Sequence, residues 1–163
     1  MTTTNGSKLT VTLPSDREIR LEREFSAPRA LVYDAMSKPE HMSHWLGPRG
    51  YSLTSMEADL RTGGAWRFVH RDPNGNDFAF RGEFREIEPP SRLVRTFEWE
   101  GLPGHVSVET LTLEDLDRGA RTRMIVTSLF DSVEDRDGML QSGMERGASE
   151  SYDQLAEYLA TLA

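Results

Sequence analysis

Cysteine is absent from the 163-residue chain, and lysine occurs only twice, as Lys8 and Lys38. The absence of cysteine excludes disulfide scaffolds, thiolate zinc sites, iron–sulfur clusters and cysteine nucleophiles. No apolar run is longer than a few residues, so no segment is predicted to span a bilayer. The first residues lack the basic and apolar segments of a signal peptide, so we expect a cytoplasmic protein.

Acidic residues outnumber basic ones, 27 to 19, which gives a formal net charge of −8. This balance argues against the phosphate contacts of a nucleic-acid-binding protein, and we predict neither a nucleic-acid nor a membrane partner. Apart from the two lysines, the 19 basic residues are arginines, and they are scattered along the chain. We interpret them as partners of surface acids; recognition of carboxylate or phosphate is the alternative.

Residues 1–14 are rich in Thr, Ser, Asn and Gly, which predicts a flexible N-terminal tail. Residues 15–163 are then of a length that suits a single domain. A first amphipathic strand begins near Arg17, and two short helices are predicted between Phe25 and Gly47-Pro48. Six segments rich in β-branched and aromatic residues follow, separated by Gly, Pro, Asn and Asp turn signals. They are Tyr51–Leu60, Ala65–Arg71, Asp77–Ile87, Arg92–Glu100, Val106–Leu116 and Arg121–Phe130.

The last segment has apolar or small residues at spacings of three and four, which predicts one long helix with an apolar face. These residues are Leu140, Met144, Ala148, Ser151, Leu155, Leu159 and Leu162. The whole order predicts an α+β fold, in which a seven-stranded curved antiparallel sheet is crossed by a long C-terminal helix. Because one helix cannot cover such a sheet completely, we expect a cavity between the two.

Several motifs resemble the SRPBCC (START-like, helix-grip) superfamily, in particular the branch of the C-terminal domain of the activator of the heat-shock-protein-90 ATPase. They are APR, WLGP, E-x-D-x-R-x-G-G-x-W, G-E-F-x-E-I-x-P-P-x-R-L-V and S-G-M-x-x-G, in that order, within residues 17–162. The resemblance implies the helix-grip fold around a cavity. It implies no single activity, because the superfamily includes lipid carriers, hormone receptors and polyketide cyclases.

Aromatic residues alternate along two neighbouring predicted strands, so they share one face of each strand. A five-residue loop at residues 72–76 would place Phe68 opposite Phe80 and bring the two faces together. We interpret this stripe either as a ligand-lining wall or as ordinary core. Its residues are Trp66, Phe68, His70, Phe78, Phe80 and Phe84.

A charged pair is predicted beside this stripe. If Phe97 faces the interior, so does Arg95, and a register that places Arg95 opposite Glu109 would form an ion pair at the cavity floor. Buried charges are costly unless they are paired. An ion pair at this position would therefore be a candidate for orienting the polar end of a ligand. The alternative is that both residues face solvent.

The helices supply the remaining candidates. Met139, Gly143, Met144 and Gly147 form either a notch for a ligand or a close helix–sheet contact. Trp45 is expected to point inward at one end of the cavity. His41 and His44 share a helix face, but no third ligand is evident, and we predict neither a metal nor a cofactor.

Together these patterns predict that the chain binds an unidentified hydrophobic small molecule, lipid-like or aromatic, between sheet and helix. One alternative is a cyclase- or hydrolase-like enzyme that uses His70, Arg95 or Glu109. Another, implied by the resemblance, is a chaperone-associated interaction module. Convergent polar groups with shifted pKa values would favour the enzyme, and an exposed apolar patch would favour the module. A homodimer or a protein partner is left open.

Overall fold

The computed structural model describes residues 8–162. Within this range the chain forms an eight-stranded antiparallel sheet and four α-helices, which confirms the predicted α+β class. The strands are β1 (Thr10–Thr12), β2 (Glu18–Phe25), β3 (Ser52–Ala58), β4 (Ala65–Arg71), β5 (Asp77–Glu88), β6 (Arg92–Trp99), β7 (Val106–Leu116) and β8 (Arg121–Leu129). The helices are α1 (Arg29–Ser37), α2 (Pro39–Met42), α3 (Val133–Gln141) and α4 (Met144–Leu162).

The strands follow the order β1-β2-β8-β7-β6-β5-β4-β3 across the sheet. From β3 to β8 every strand pairs with the next, so this part is the predicted meander. The turn between β4 and β5 has a local cause, because the Asp72 carboxylate accepts hydrogen bonds from the backbone amides of Asn74 and Asn76. Gly75 in the same turn adopts a φ of 86°, which glycine takes without steric cost.

Two features differ from the sequence predictions. Strand β1 lies inside the segment 1–14, for which a flexible tail is predicted, and it pairs Val11 with Leu21 at one edge of the sheet. Residues 1–7 of that segment lie outside the described residues. The predicted single C-terminal helix is two helices, because Gly143 between α3 and α4 has a φ of 84° and interrupts the helical backbone.

The core lies between the inner face of the sheet and the helices. Alternate residues of β2 point inward, including Ile19 and Phe25, and they meet Val32 of α1 and Leu155 of α4. This alternation follows from the period of two along a strand. Over the described residues, no helix is long and apolar enough to cross a membrane.

The outer face of the sheet is charged, and several of its arginines pair with carboxylates. Arg67 Nε lies 2.7 Å from Glu100 Oε2, and Arg81 Nε lies 3.1 Å from Glu98 Oε1. A hollow of about 410 Å³ lies on this face between the charged side chains. Since the arginines around it already have carboxylate partners, surface pairing accounts for them as the sequence predicts.

Candidate functional site

A cavity of about 320 Å³ lies between the inner face of the sheet, α4 and the segment that follows α2. We call it the inner chamber. Helix α4 faces it with Gly147, Ala148, Ser151 and Tyr152. Most of the candidate residues predicted from the sequence line this space. They are Trp45, Phe68, His70, Phe80, Arg95, Phe97, Glu109, Met139, Met144 and Gly147.

A second cavity of about 680 Å³, the outer chamber, lies beside the first, between the β6–β7 hairpin and α3. Phe78 of the predicted stripe lines it, together with Tyr51 and the exposed Trp99. Both volumes fall in the range of about 300–1,000 Å³ that is usual for small-molecule pockets. The two chambers share a wall, which is formed by Pro48, His70, Phe80, Phe97, Ser107, Phe130 and Met139.

The aromatic stripe forms a continuous wall of rings. Phe68 pairs with Phe80 across β4 and β5, which confirms the predicted register, and their ring centroids are 5.1 Å apart. Phe80 continues the row to Phe97 on β6, at 5.3 Å between centroids. Rings at these distances are in favourable contact with one another. These rings form an apolar wall, and two of them, Phe80 and Phe97, line both chambers.

Arg95 and Glu109 form the predicted ion pair. They are directly opposite each other on β6 and β7, with Arg95 Nε 2.8 Å from Glu109 Oε1. Their side chains are 19% and 21% exposed, and both line the inner chamber rather than the outer face of the sheet. The Arg95 guanidinium also lies 4.1 Å from the ring centroid of Trp66, which is a cation–π contact.

Tyr152 is a polar group of the inner chamber that the sequence patterns missed. Its ring packs against Phe25 and Trp45, and its hydroxyl makes no hydrogen bond to any residue in the described range. Burial, with a smaller contribution from the charge of Glu109, raises the pKa of the Tyr152 phenol above its ordinary value. Tyr152 follows Met144 and Ala148 at the helical spacing of four. This spacing is the sequence signal that could have placed Tyr152 on the cavity face of the helix.

His70 lies in the wall between the chambers and is 7% exposed. Its Nε2 atom is buried and has no hydrogen-bond partner in the described part of the chain. Burial lowers the pKa of His70 to about 4, although a backbone hydrogen bond with Leu46 opposes this shift. The imidazole is therefore neutral at pH 7.

The comparisons with known proteins agree with this architecture. The family model for "Activator of Hsp90 ATPase homolog 1-like protein" matches residues 26–160. The chain belongs to this family. No curated protein matches it.

Solved structures show the fold of this family member over nearly its whole length. A protein from Rhodobacter sphaeroides is 25% identical, with a TM-score of 0.88 over 94% of this chain and 99% of that chain. A protein from Arthrobacter aurescens is 26% identical, with a TM-score of 0.83 over 93% and 91% of the two chains. The AHSA1 protein from Silicibacter pomeroyi is 24% identical, with a TM-score of 0.73 over 90% and 99%, a likeness of fold.

Three of the predicted cavity residues line neither chamber in this family member. Trp66 shares a strand face with Phe68, but it is only 2% exposed and lines neither chamber. The Arg95 guanidinium lies over its ring. Phe84 is buried in the core opposite Arg95, next to a register shift in β5. Gly143 interrupts the helices instead of lying on a helix face.

Gly147 has room for a side chain on its side of helix α4. A Cβ atom built at Gly147 would meet only Pro48 Cγ, at 3.5 Å, which is an ordinary contact distance. Close approach of helix and sheet therefore does not require glycine here. The missing side chain leaves space in the inner chamber.

Side chains in and just after helix α2 make contacts with neighbouring elements. Trp45 is buried and its Nε1 donates a hydrogen bond of 2.8 Å to the Ala35 carbonyl. His41 Nδ1 lies 2.5 Å from the Tyr158 hydroxyl, and His44 stacks on the same ring. Across residues 8–162, no three His, Asp or Glu side chains are grouped as metal ligands would be.

Proposed function

We propose that this family member binds a small hydrophobic molecule, lipid-like or aromatic, in the two chambers between the sheet and the C-terminal helices. The observation that carries the proposal is the row of rings from Phe68 through Phe80 to Phe97: all three line the inner chamber, and Phe80 and Phe97 also line the outer one. Burying apolar ligand surface against such a wall stabilises a complex by roughly 25 cal/mol per Å² before the costs of association.

The inner chamber has the polar groups that would fix the orientation of the ligand. Arg95 uses only its Nε atom toward Glu109, so its terminal amino groups have no protein acceptor within residues 8–162. The Tyr152 hydroxyl is likewise free on the same chamber wall. A ligand with one hydrogen-bonding end would therefore place that end near Arg95 and Tyr152.

The pKa shifts favour binding over acid–base catalysis. A catalytic acid or base works best when its pKa lies near the working pH. Burial moves the pKa of His70 down to about 4 and raises the pKa of Tyr152, so both shifts lead away from pH 7. Arg95 and Glu109 already neutralise each other. The cyclase- or hydrolase-like alternative would need a substrate that reverses these shifts.

Native mass spectrometry of freshly purified protein tests the proposal. We expect a co-purifying small molecule on the wild type and its loss from Gly147→Phe, whose added ring would enter the inner chamber. Ala160→Phe is the matched control, because Ala160 is exposed on the same helix and lines neither chamber. Equal retention of one molecule by both variants would contradict the proposal.

A further inference from the structure

The outer chamber combines aromatic walls with acidic charge. Six rings line it in addition to His70: Tyr51, Phe78, Phe80, Phe97, Trp99 and Phe130. Its lining also carries the carboxylates of Glu134 and Asp135, on the first turn of α3, and the imidazole of His105 of the β6–β7 hairpin. Among the described residues, neither a lysine nor an arginine lines this chamber.

The acidic groups are only partly neutralised by the protein. Asp135 Oδ1 lies 2.8 Å from His105 Nδ1, which accounts for one carboxylate. Glu134 is exposed and makes no ion pair or hydrogen bond with the described residues. The α3 N-terminus carries partial positive charge, which these two first-turn acids offset. In the inner chamber, the charge of Arg95 is matched by Glu109.

We propose that the outer chamber selects an organic cation, an ammonium group carried on an aromatic or alkyl body. This inference rests on the proposed binding function and adds the charge of the ligand to it. The faces of aromatic rings are electron-rich and attract cations, most strongly when the cation is removed from water. A cation between Trp99 and the Phe rings would also face the free carboxylate of Glu134. An anion would meet ring faces and carboxylates, with neither a lysine nor an arginine on the described lining to receive it.

Three probes of matched shape and different charge test the inference. They are (1-naphthylmethyl)trimethylammonium, 1-naphthalenemethanol and 1-naphthoate, titrated into the full chain by calorimetry at pH 7.5. We expect the cation to bind about tenfold more tightly than the neutral alcohol, with the carboxylate weakest. The advantage of the cation should shrink as salt is raised, because Glu134 is exposed and its attraction is screened.

Two variants locate the effect. Glu134→Gln should lower the affinity of the cation about threefold and leave that of the alcohol unchanged. Trp99→Leu keeps apolar surface but removes the ring, so it should weaken the cation more than the alcohol. Glu40→Gln is the control, since Glu40 is exposed on α2 and lines neither chamber.

The outcomes separate this inference from the function on which it rests. Binding of the alcohol with equal or tighter affinity than the cation would overturn the cation proposal and leave the binding function standing. The absence of binding by all three probes would contradict both. A cation preference that Glu134→Gln and Trp99→Leu do not change would overturn the assignment to the outer chamber.

Discussion

Buried His70 makes the stability of the fold depend on pH in a way that can be calculated. Its pKa is about 4 in the folded chain and about 6.5 in an unfolded one. Between these values the unfolded chain binds a proton that the folded chain does not, so stability falls as the pH is lowered. A difference of two to three pKa units corresponds to a loss of about 3 kcal/mol, complete near pH 4.

Urea unfolding between pH 4 and 7.5 measures this loss when wild type is compared with His70→Phe, which cannot titrate. We expect the stability of the wild type relative to the variant to decrease by about 3 kcal/mol from pH 7 to pH 4. Surface carboxylates also contribute at low pH, but they are common to both proteins and cancel in the difference. A constant difference between wild type and His70→Phe across this range would refute the reasoning, and His70→Gln repeats the test if the Phe variant does not fold.

Two further predictions concern packing and charge. Gly82→Ala should cost about 3 kcal/mol, because its Cβ would lie 1.9 Å from the Thr96 carbonyl oxygen, whereas Gly138→Ala in α3, with nothing within 4 Å, should be neutral or stabilising. Urea denaturation checks both, and equal stability of the two variants would contradict the geometry. Glu109→Ala should cost about 2 kcal/mol by leaving Arg95 without its partner, and Arg95→Met combined with Glu109→Leu should recover at least half of that. A double variant no more stable than Glu109→Ala, measured in the same way, would count against a buried pair.

The meander of the sheet could be predicted because its turns have strong local chemistry. The loop of residues 72–76 has five residues, and this length alone decides that Phe68 lies opposite Phe80. Alternation on β6 and β7 allows Arg95 and Glu109 to share a face, but their pairing also needs the register of the β6–β7 hairpin, which the structure supplies. At the turn of residues 72–76, the preferences of the turn residues and of the two strands agree with the fold that forms.

The sequence predictions are wrong where the structure of a segment depends on residues that are distant in the sequence or on the conformation of a single residue. Strand β1 is three residues long and owes its structure to the edge of β2, which composition cannot reveal. The apolar spacing of the C-terminal segment continues across Gly143, so periodicity predicts one helix where a left-handed residue separates two. Alternation places Trp66 on the inner face of the sheet. Whether its ring also lines a chamber depends on the side chains that cover it, and here Arg95 lies over the ring.

Methyl NMR of methionine gives the most direct test of the central claim that a ligand occupies the chambers. Met139 and Met144 line the inner chamber, whereas Met56 lines neither chamber and serves as an internal control. With ¹³C-methyl methionine and 1-naphthalenemethanol as the probe, we predict saturable shifts of the Met139 and Met144 resonances while Met56 stays unchanged. Shifts confined to Met56, or none at saturating probe, would contradict binding between the sheet and the C-terminal helices.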